Sequence, residues 1–216
     1  MLKYAIFQGI LERRMVAIVR AGTPDAALQM AEACIAGGIT ALEVAFTTPD
    51  TIGVIKTLRE RHGANVMLGA GTVLDPETAR AAILAGAQFI ISPSVNVETI
   101  KLTQRYQVLS MPGAMTPTEI GLALEAGADI VKVFPAEVFG PSYIKALKAP
   151  LPQAALMPTG GVTVENLADW FAAGATAVGI GSSLTAPGAS GDYAAVTTRA
   201  RAFVDKMEEI KRGWKA

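Results

Sequence analysis

Short apolar runs recur along this chain, each preceded by an Ala-rich amphipathic stretch that ends in glycine. One phrase shows the pattern four times: "AGGITALEV" from Ala36, "AGAQFIISP" from Ala85, "AGADIVKVF" from Ala126 and "AGATAVGIG" from Ala173. In each, Ala-Gly closes a segment of helical spacing, where glycine suits the left-handed turn of a helix C-terminal cap. The run that follows is apolar almost throughout rather than at alternate positions, which predicts a strand buried on both faces. Four further runs lie between these units: "VAIVR" (Val16 to Arg20), "VMLGAGTV" (Val66 to Val73), "VLSMPGAM" (Val108 to Met115) and "ALMPTGGV" (Ala155 to Val162). Eight strands are therefore predicted.

Helix starts follow most of them. "TPD" at Thr23 and at Thr48, and "DPET" at Asp75, place a capping residue before a proline at the first helical position. "TPTE" at Thr116 adds Glu119 as the second half of a capping box, and "TVEN" at Thr163 is a weaker version. Strand, short loop, capped helix and glycine cap, repeated eight times, predict parallel βαβ units and an α/β fold, a single (β/α)8 TIM barrel. An open doubly wound sheet is the competing architecture, but it usually shows a Gly-rich dinucleotide motif after its first strand. Here that strand ends in "VRAGTPD". A short N-terminal helix and an amphipathic C-terminal helix, roughly Tyr193 to Arg212, flank the barrel, and residues 1–216 read as one domain.

Composition narrows the functional classes. The chain has 216 residues, 51% hydrophobic, with zero formal net charge, so no basic face for nucleic acid is expected. No apolar run reaches the roughly 18 residues of a membrane span. The N-terminus lacks a signal-peptide pattern, which predicts a cytoplasmic protein. The one cysteine, Cys34, sits in a helical pattern and is expected in the core. The one histidine, His62, sits in the polar turn "RERHGAN". With one of each, a His-rich metal site or a Ser-His-Asp triad has almost no material.

Active sites of (β/α)8 barrels lie at the C-terminal ends of the strands. Among the predicted strand interiors only two ionisable side chains occur, Glu43 and Lys132. An isolated buried charge costs several kcal/mol, so the two are expected to be neighbours. A structural ion pair would satisfy that. So would chemistry: an apolar pocket disfavours an ammonium, and a neutral amine attacks a carbonyl to form a Schiff base. The resulting iminium accepts electrons from an adjacent carbon–carbon bond, and a carboxylate can move the protons. The runs "PTGG" and "GSS" at the last two strand ends offer open glycine backbone, which suits an anion such as phosphate. Tight turns needing glycine for conformation alone are the plainer account.

Taken together, "GGITALEV", "GAGTVLDP", "AQFIISPS", "MPGAMTPTE", "VKVFPAE", "MPTGGV" and "VGIGSSL" resemble the bacterial 2-keto-3-deoxy-6-phosphogluconate aldolases, also called 4-hydroxy-2-oxoglutarate aldolases. The resemblance runs from about Val16 to Leu184. It implies a class I pyruvate aldolase on a (β/α)8 fold, usually a homotrimer, with no metal or organic cofactor. Its substrate is a small-molecule 2-keto acid, and pyruvate is a product. It implies Lys132 as the Schiff-base lysine and Glu43 as the general acid/base. Thr72 and Thr159 would lie near the substrate carboxylate and hydroxyls, Pro93 and Phe134 would line the pocket, and Gly160, Gly161, Gly181 and Ser182 would hold phosphate.

One position departs from the pattern. Many members carry "LEVTLRTP", with an arginine that grips the substrate carboxylate, whereas this chain reads "LEVAFTTPD" and has Thr47 there. Thr47 is kept among the expected substrate-binding residues, and Arg20, at the end of the first strand, is expected to take over the grip on the carboxylate. The same chemistry on the galactonate epimer or on an unphosphorylated substrate is the near alternative. A phosphosugar isomerase or epimerase, or a non-catalytic phosphometabolite binder, is more distant, because the first needs more carboxylates, histidines or a metal and the second gains nothing from a buried amine.

Overall fold

The computed structural model describes residues 2–214, and in them short strands alternate with helices. Helix α1 (Leu2–Arg13) comes first. Strands β1 (Met15–Val19), β2 (Ala41–Ala45), β3 (Met67–Gly71), β4 (Phe89–Ile91) and β5 (Leu109–Met111) follow, separated by α2 (Pro24–Ala36), α3 (Thr51–His62), α4 (Pro76–Leu84) and α5 (Val97–Arg105). The second half runs β6 (Gly113–Ala114), α6 (Pro117–Glu125), β7 (Val131–Val133), α7 (Pro141–Lys148), β8 (Leu156–Pro158), α8 (Leu167–Ala172), β9 (Val178–Ile180), α9 (Ser182–Thr185) and α10 (Tyr193–Trp214). The ends of the domain predicted from the sequence, residues 1, 215 and 216, lie outside the described residues.

All strand pairings are parallel. Six strands form one curled sheet in the order β5-β4-β3-β2-β1-β9, and three form a second, β6-β7-β8. The strand predicted over 108–115 is split into β5 and β6 at Pro112, which has no N–H to donate to a ladder. Its carbonyl still accepts from Lys132 N at 2.9 Å, and Ser110 O accepts from Ile130 N at 3.3 Å. At the other side a bridge pairs Thr159 with Gly179, and Thr176 N donates to Leu156 O at 2.8 Å.

Caps explain most helix starts. Thr23 accepts from Ala26 N, Asp75 from Thr78 N, and Thr116 with Glu119 forms the complete capping box. Two predicted starts are corrected. Asp50, not Thr48, caps α3, because Thr48 is buried and accepts from Ala21 N at 3.2 Å. Asn166, not Thr163, precedes α8, and the two residues bond each other instead, Thr163 N to Asn166 Oδ1 and Asn166 N to Thr163 Oγ1. Gly38, Gly86, Gly127 and Gly174 take the left-handed turn before their strands, with φ from 98° to 105°. In the first repeat it is therefore the second glycine that serves.

Two apolar clusters place the site. Ile6 and Ile10 of α1 pack on Val16, Ala41, Met67, Phe89, Leu109, Ile130 and Met157, a ring drawn from near the N-terminal ends of the strands. Helix α1 thereby covers apolar side chains at that end of the sheet. The second cluster joins helices to the outer strand faces and includes Leu42, Val44, Val131 and Val133. Side chains alternate along a strand, so Glu43 and Lys132, each between two such residues, face inward. Cys34 is buried in the outer cluster, and burial pushes its thiol up to about 12. His62 ends α3 rather than standing free in a turn, with its ring 2.9 Å from the Glu32 carboxylate. Among the described residues no helix is long and apolar enough to cross a membrane.

Candidate active site

Glu43 and Lys132 come from different sheets. Glu43 is level with Ile18 and Gly69, and Lys132 with Gly113 and Met157. Lys132 Nζ lies 3.9 Å from Glu43 Oε1, with side chains only 8% and 3% exposed. That gap exceeds a hydrogen bond, so the groups are neighbours without being locked together. Burial holds the Glu43 carboxyl above its ordinary range, and the charges of Lys132 and then Arg20 pull it partly back. Lys132 Nζ is also 5.1 Å from the centre of the Phe134 ring. The two are two positions apart on one strand run and so share a face.

Room for the carboxyl comes from glycine. A Cβ on Gly71 would lie 2.7 Å from the Glu43 carboxyl carbon and 2.8 Å from Oε1. Gly179 does the same for Thr159, since a Cβ there would sit 2.3 Å from Thr159 Oγ1. Thr72, just past β3, holds φ of 58°, a costly conformation for a β-branched residue. Such strain concentrates at functional sites, where surrounding structure imposes it.

The pair opens into a cavity of about 770 Å³. Arg20, Glu43, Thr72, Pro93, Lys132 and Phe134 line it, together with Thr159, Gly160, Gly161, Gly181 and Ser182. Gly160 and Gly161 have φ of 100° and 69°, so two successive residues need a conformation that side chains resist. Their backbone lies bare to the cavity. A second hollow of about 610 Å³, between α2 and α10, contains none of these residues.

Thr47 does not join them. It is exposed in the turn after β2 and is not part of the cavity wall. Its neighbour Thr48 turns inward to hold Ala21, which ties that turn to the end of β1 and carries Thr47 outward. Four polar wall residues were not among the predicted site residues: Glu137, Thr163, Ser183 and Thr185. Glu137 follows Lys132 in "VKVFPAE", so its position just past a strand end was the available signal.

Residues 6–199 match the family model described as KDPG and KHG aldolase. The 2-dehydro-3-deoxy-6-phosphogalactonate aldolase of Escherichia coli (strain K12) is 42% identical over 196 residues, covering 90% of this chain and 95% of that protein. The 2-dehydro-3-deoxy-phosphogluconate aldolase of Pseudomonas aeruginosa is 36% identical over 205 residues, 93% of this chain and 92% of the relative. Among solved structures, a KDPG aldolase from Legionella pneumophila, with pyruvate captured at low pH as a covalent carbinolamine intermediate, superposes with a TM-score of 0.81 at 29% identity. That match covers 88% of this chain and 93% of the other.

Proposed function

The chain belongs to the KDPG and KHG aldolase family and is an aldolase of the lyase class; from that premise we propose that Lys132 forms a Schiff base with a 2-keto acid while Glu43 moves the protons. The observation that carries this reading is the buried Lys132–Glu43 pair, 3.9 Å apart, on the wall of a cavity that Gly160, Gly161 and Gly181 also line. The covalent pyruvate adduct in the Legionella relative supports it.

In the cleavage direction the neutral Lys132 amine attacks the C2 ketone. Water leaves, with protons relayed by Glu43, and an iminium forms. Glu43 then takes the C4 hydroxyl proton, through a water. The C3–C4 bond breaks, its electron pair enters the iminium, and an aldehyde departs. The remaining enamine is protonated at C3, and hydrolysis frees pyruvate and Lys132. The raised pKa of Glu43 suits a group that must both give and take a proton. Thr72 and Thr159 contact the substrate carboxylate and hydroxyls, and Pro93 and Phe134 flank the reacting carbons. Gly160, Gly161, Gly181 and Ser182 hold the phosphate.

The substrate is 2-keto-3-deoxy-6-phosphogluconate, giving glyceraldehyde 3-phosphate, with 4-hydroxy-2-oxoglutarate cleaved to glyoxylate. The C4 epimer, the phosphogalactonate, has equal support, because the relative at 42% identity bears that name. Parallel steady-state kinetics on the two epimers tests the assignment, and a tenfold preference in kcat/KM for the galactonate would overturn the first choice.

Two residues follow as predictions. Arg20, not Thr47, grips the substrate carboxylate. Arg20→Ala is expected to raise the KM for the 2-keto acid on the order of 10- to 100-fold; unchanged affinity would return Arg20 to a rim salt-bridge role. Gly71→Ala is expected to displace the Glu43 carboxyl and lower kcat about 100-fold. Circular dichroism and trapping of pyruvate would show the fold and Lys132 still in place, and a wild-type kcat would dismiss the steric role of Gly71.

We also propose that the two sheets are arcs of one closed (β/α)8 barrel, a single domain. The Thr159–Gly179 bridge and the Lys132 N to Pro112 O bond support closure on its two sides. A homotrimer is part of the same proposal, and sedimentation of the purified chain tests it.

A further inference from the structure

We propose that Glu137 is a specificity-determining residue whose carboxylate guards the glycine corner and weakens its grip on phosphate. This rests on the aldolase reading above and deepens it. Glu137 lies in the short turn after β7 (Ala136–Val138) and reaches the cavity wall. A Cβ on Gly160 would sit 3.1 Å from Glu137 Oε2, and one on Gly161 would sit 2.6 Å from Glu137 Cβ and 3.4 Å from Oε2. The carboxylate thus hangs over the two backbone units assigned to phosphate. Among the described residues, no hydrogen bond or ion pair restrains Glu137.

A phosphate placed against Gly160 and Gly161 meets this negative charge at short range. The two repel, and neither of the cavity's cations, Arg20 and Lys132, forms an ion pair with Glu137. An unphosphorylated 2-keto acid feels no such repulsion. Glu137 therefore sets the balance between phosphorylated and unphosphorylated substrates rather than the rate of bond cleavage.

Glu137→Gln keeps size and shape and removes the charge. The ratio of kcat/KM for 2-keto-3-deoxy-6-phosphogluconate to that for its unphosphorylated form, 2-keto-3-deoxygluconate, is expected to rise roughly fivefold. The gain should shrink as salt is added, since exposed charges are screened. Inorganic phosphate, titrated calorimetrically into both proteins, should bind the variant more tightly. An unchanged ratio would overturn the proposal. So would a lower one, which would mean that Glu137 accepts a hydrogen bond from the substrate. If the wild-type protein traps no pyruvate adduct, the aldolase reading fails instead, and the phosphate titration still decides the role of Glu137.

Discussion

Lys132→Ala is expected to lower aldolase turnover by about 10⁴-fold or more, the scale seen when a covalent nucleophile is removed. Borohydride added with pyruvate should leave a pyruvyl adduct on the wild-type peptide containing Lys132 and none on the variant. The variant should still fold. Without the lysine's charge the Glu43 carboxyl, already held high by burial, is less opposed in keeping its proton and stays neutral in the core. Lys132→Arg separates the two roles a buried cation can have. Arginine preserves the positive charge beside Glu43 but is no nucleophile, since it is always protonated. It should be as inactive as alanine. Retained turnover in Lys132→Arg, or an adduct on another lysine, would reduce Lys132 to a structural partner of Glu43.

The second large effect is that of Glu43→Gln, expected to cost 10²- to 10⁴-fold in kcat, the range for a positioned acid–base group. Glutamine fills the same space beside Gly71, so packing is conserved and the loss reports proton transfer. Activity should also respond to pH in a defined direction. The wild type needs the carboxylate to accept the C4 hydroxyl proton, so kcat should fall as pH drops below the raised pKa of Glu43, and this acid limb should vanish in the variant. Stability carries the opposite trend. Unfolded, Glu43 releases its proton near its ordinary value of 4.5, whereas folded it holds on to higher pH because burial opposes the charge. Between those two values the native state binds the extra proton, so its stability is full below 4.5 and falls as pH rises through the folded pKa. Urea midpoints across that window should decline less steeply in Glu43→Gln. Equal slopes in the two proteins would show that Glu43 ionises normally.

Much of the site could be read before folding because the barrel-type pattern turns strand ends into neighbours. Glu43 and Lys132 stood out as the two charges within apolar runs, and glycines at "PTGG" and "GSS" marked the proposed anion corner. Thr47 was misplaced because a family position was carried over to a turn whose own side chains decide its path. Thr48 is drawn inward by Ala21, and Thr47 is carried to the surface. The break at Pro112 was visible as a proline yet was read through as one strand, since the apolar run continues on both sides of it. The helix starts at Thr48 and Thr163 failed too. Thr48 found a tertiary partner in Ala21, which leaves no local trace, whereas Thr163 made reciprocal bonds with Asn166 inside "TVEN" and α8 began only after them.

The alternation of strands and helices, the short N-terminal helix, and the placing of Glu43 and Lys132 inside strands were determined by the sequence alone. They follow from apolar spacing and backbone preference, which act over a few residues. The 3.9 Å between amine and carboxylate, the exclusion of Thr47 and the reach of Glu137 over Gly160 were decided only by the tertiary structure. Each depends on how sheets and loops distant in the chain close on one another, and on distances of a few ångströms that no local pattern encodes.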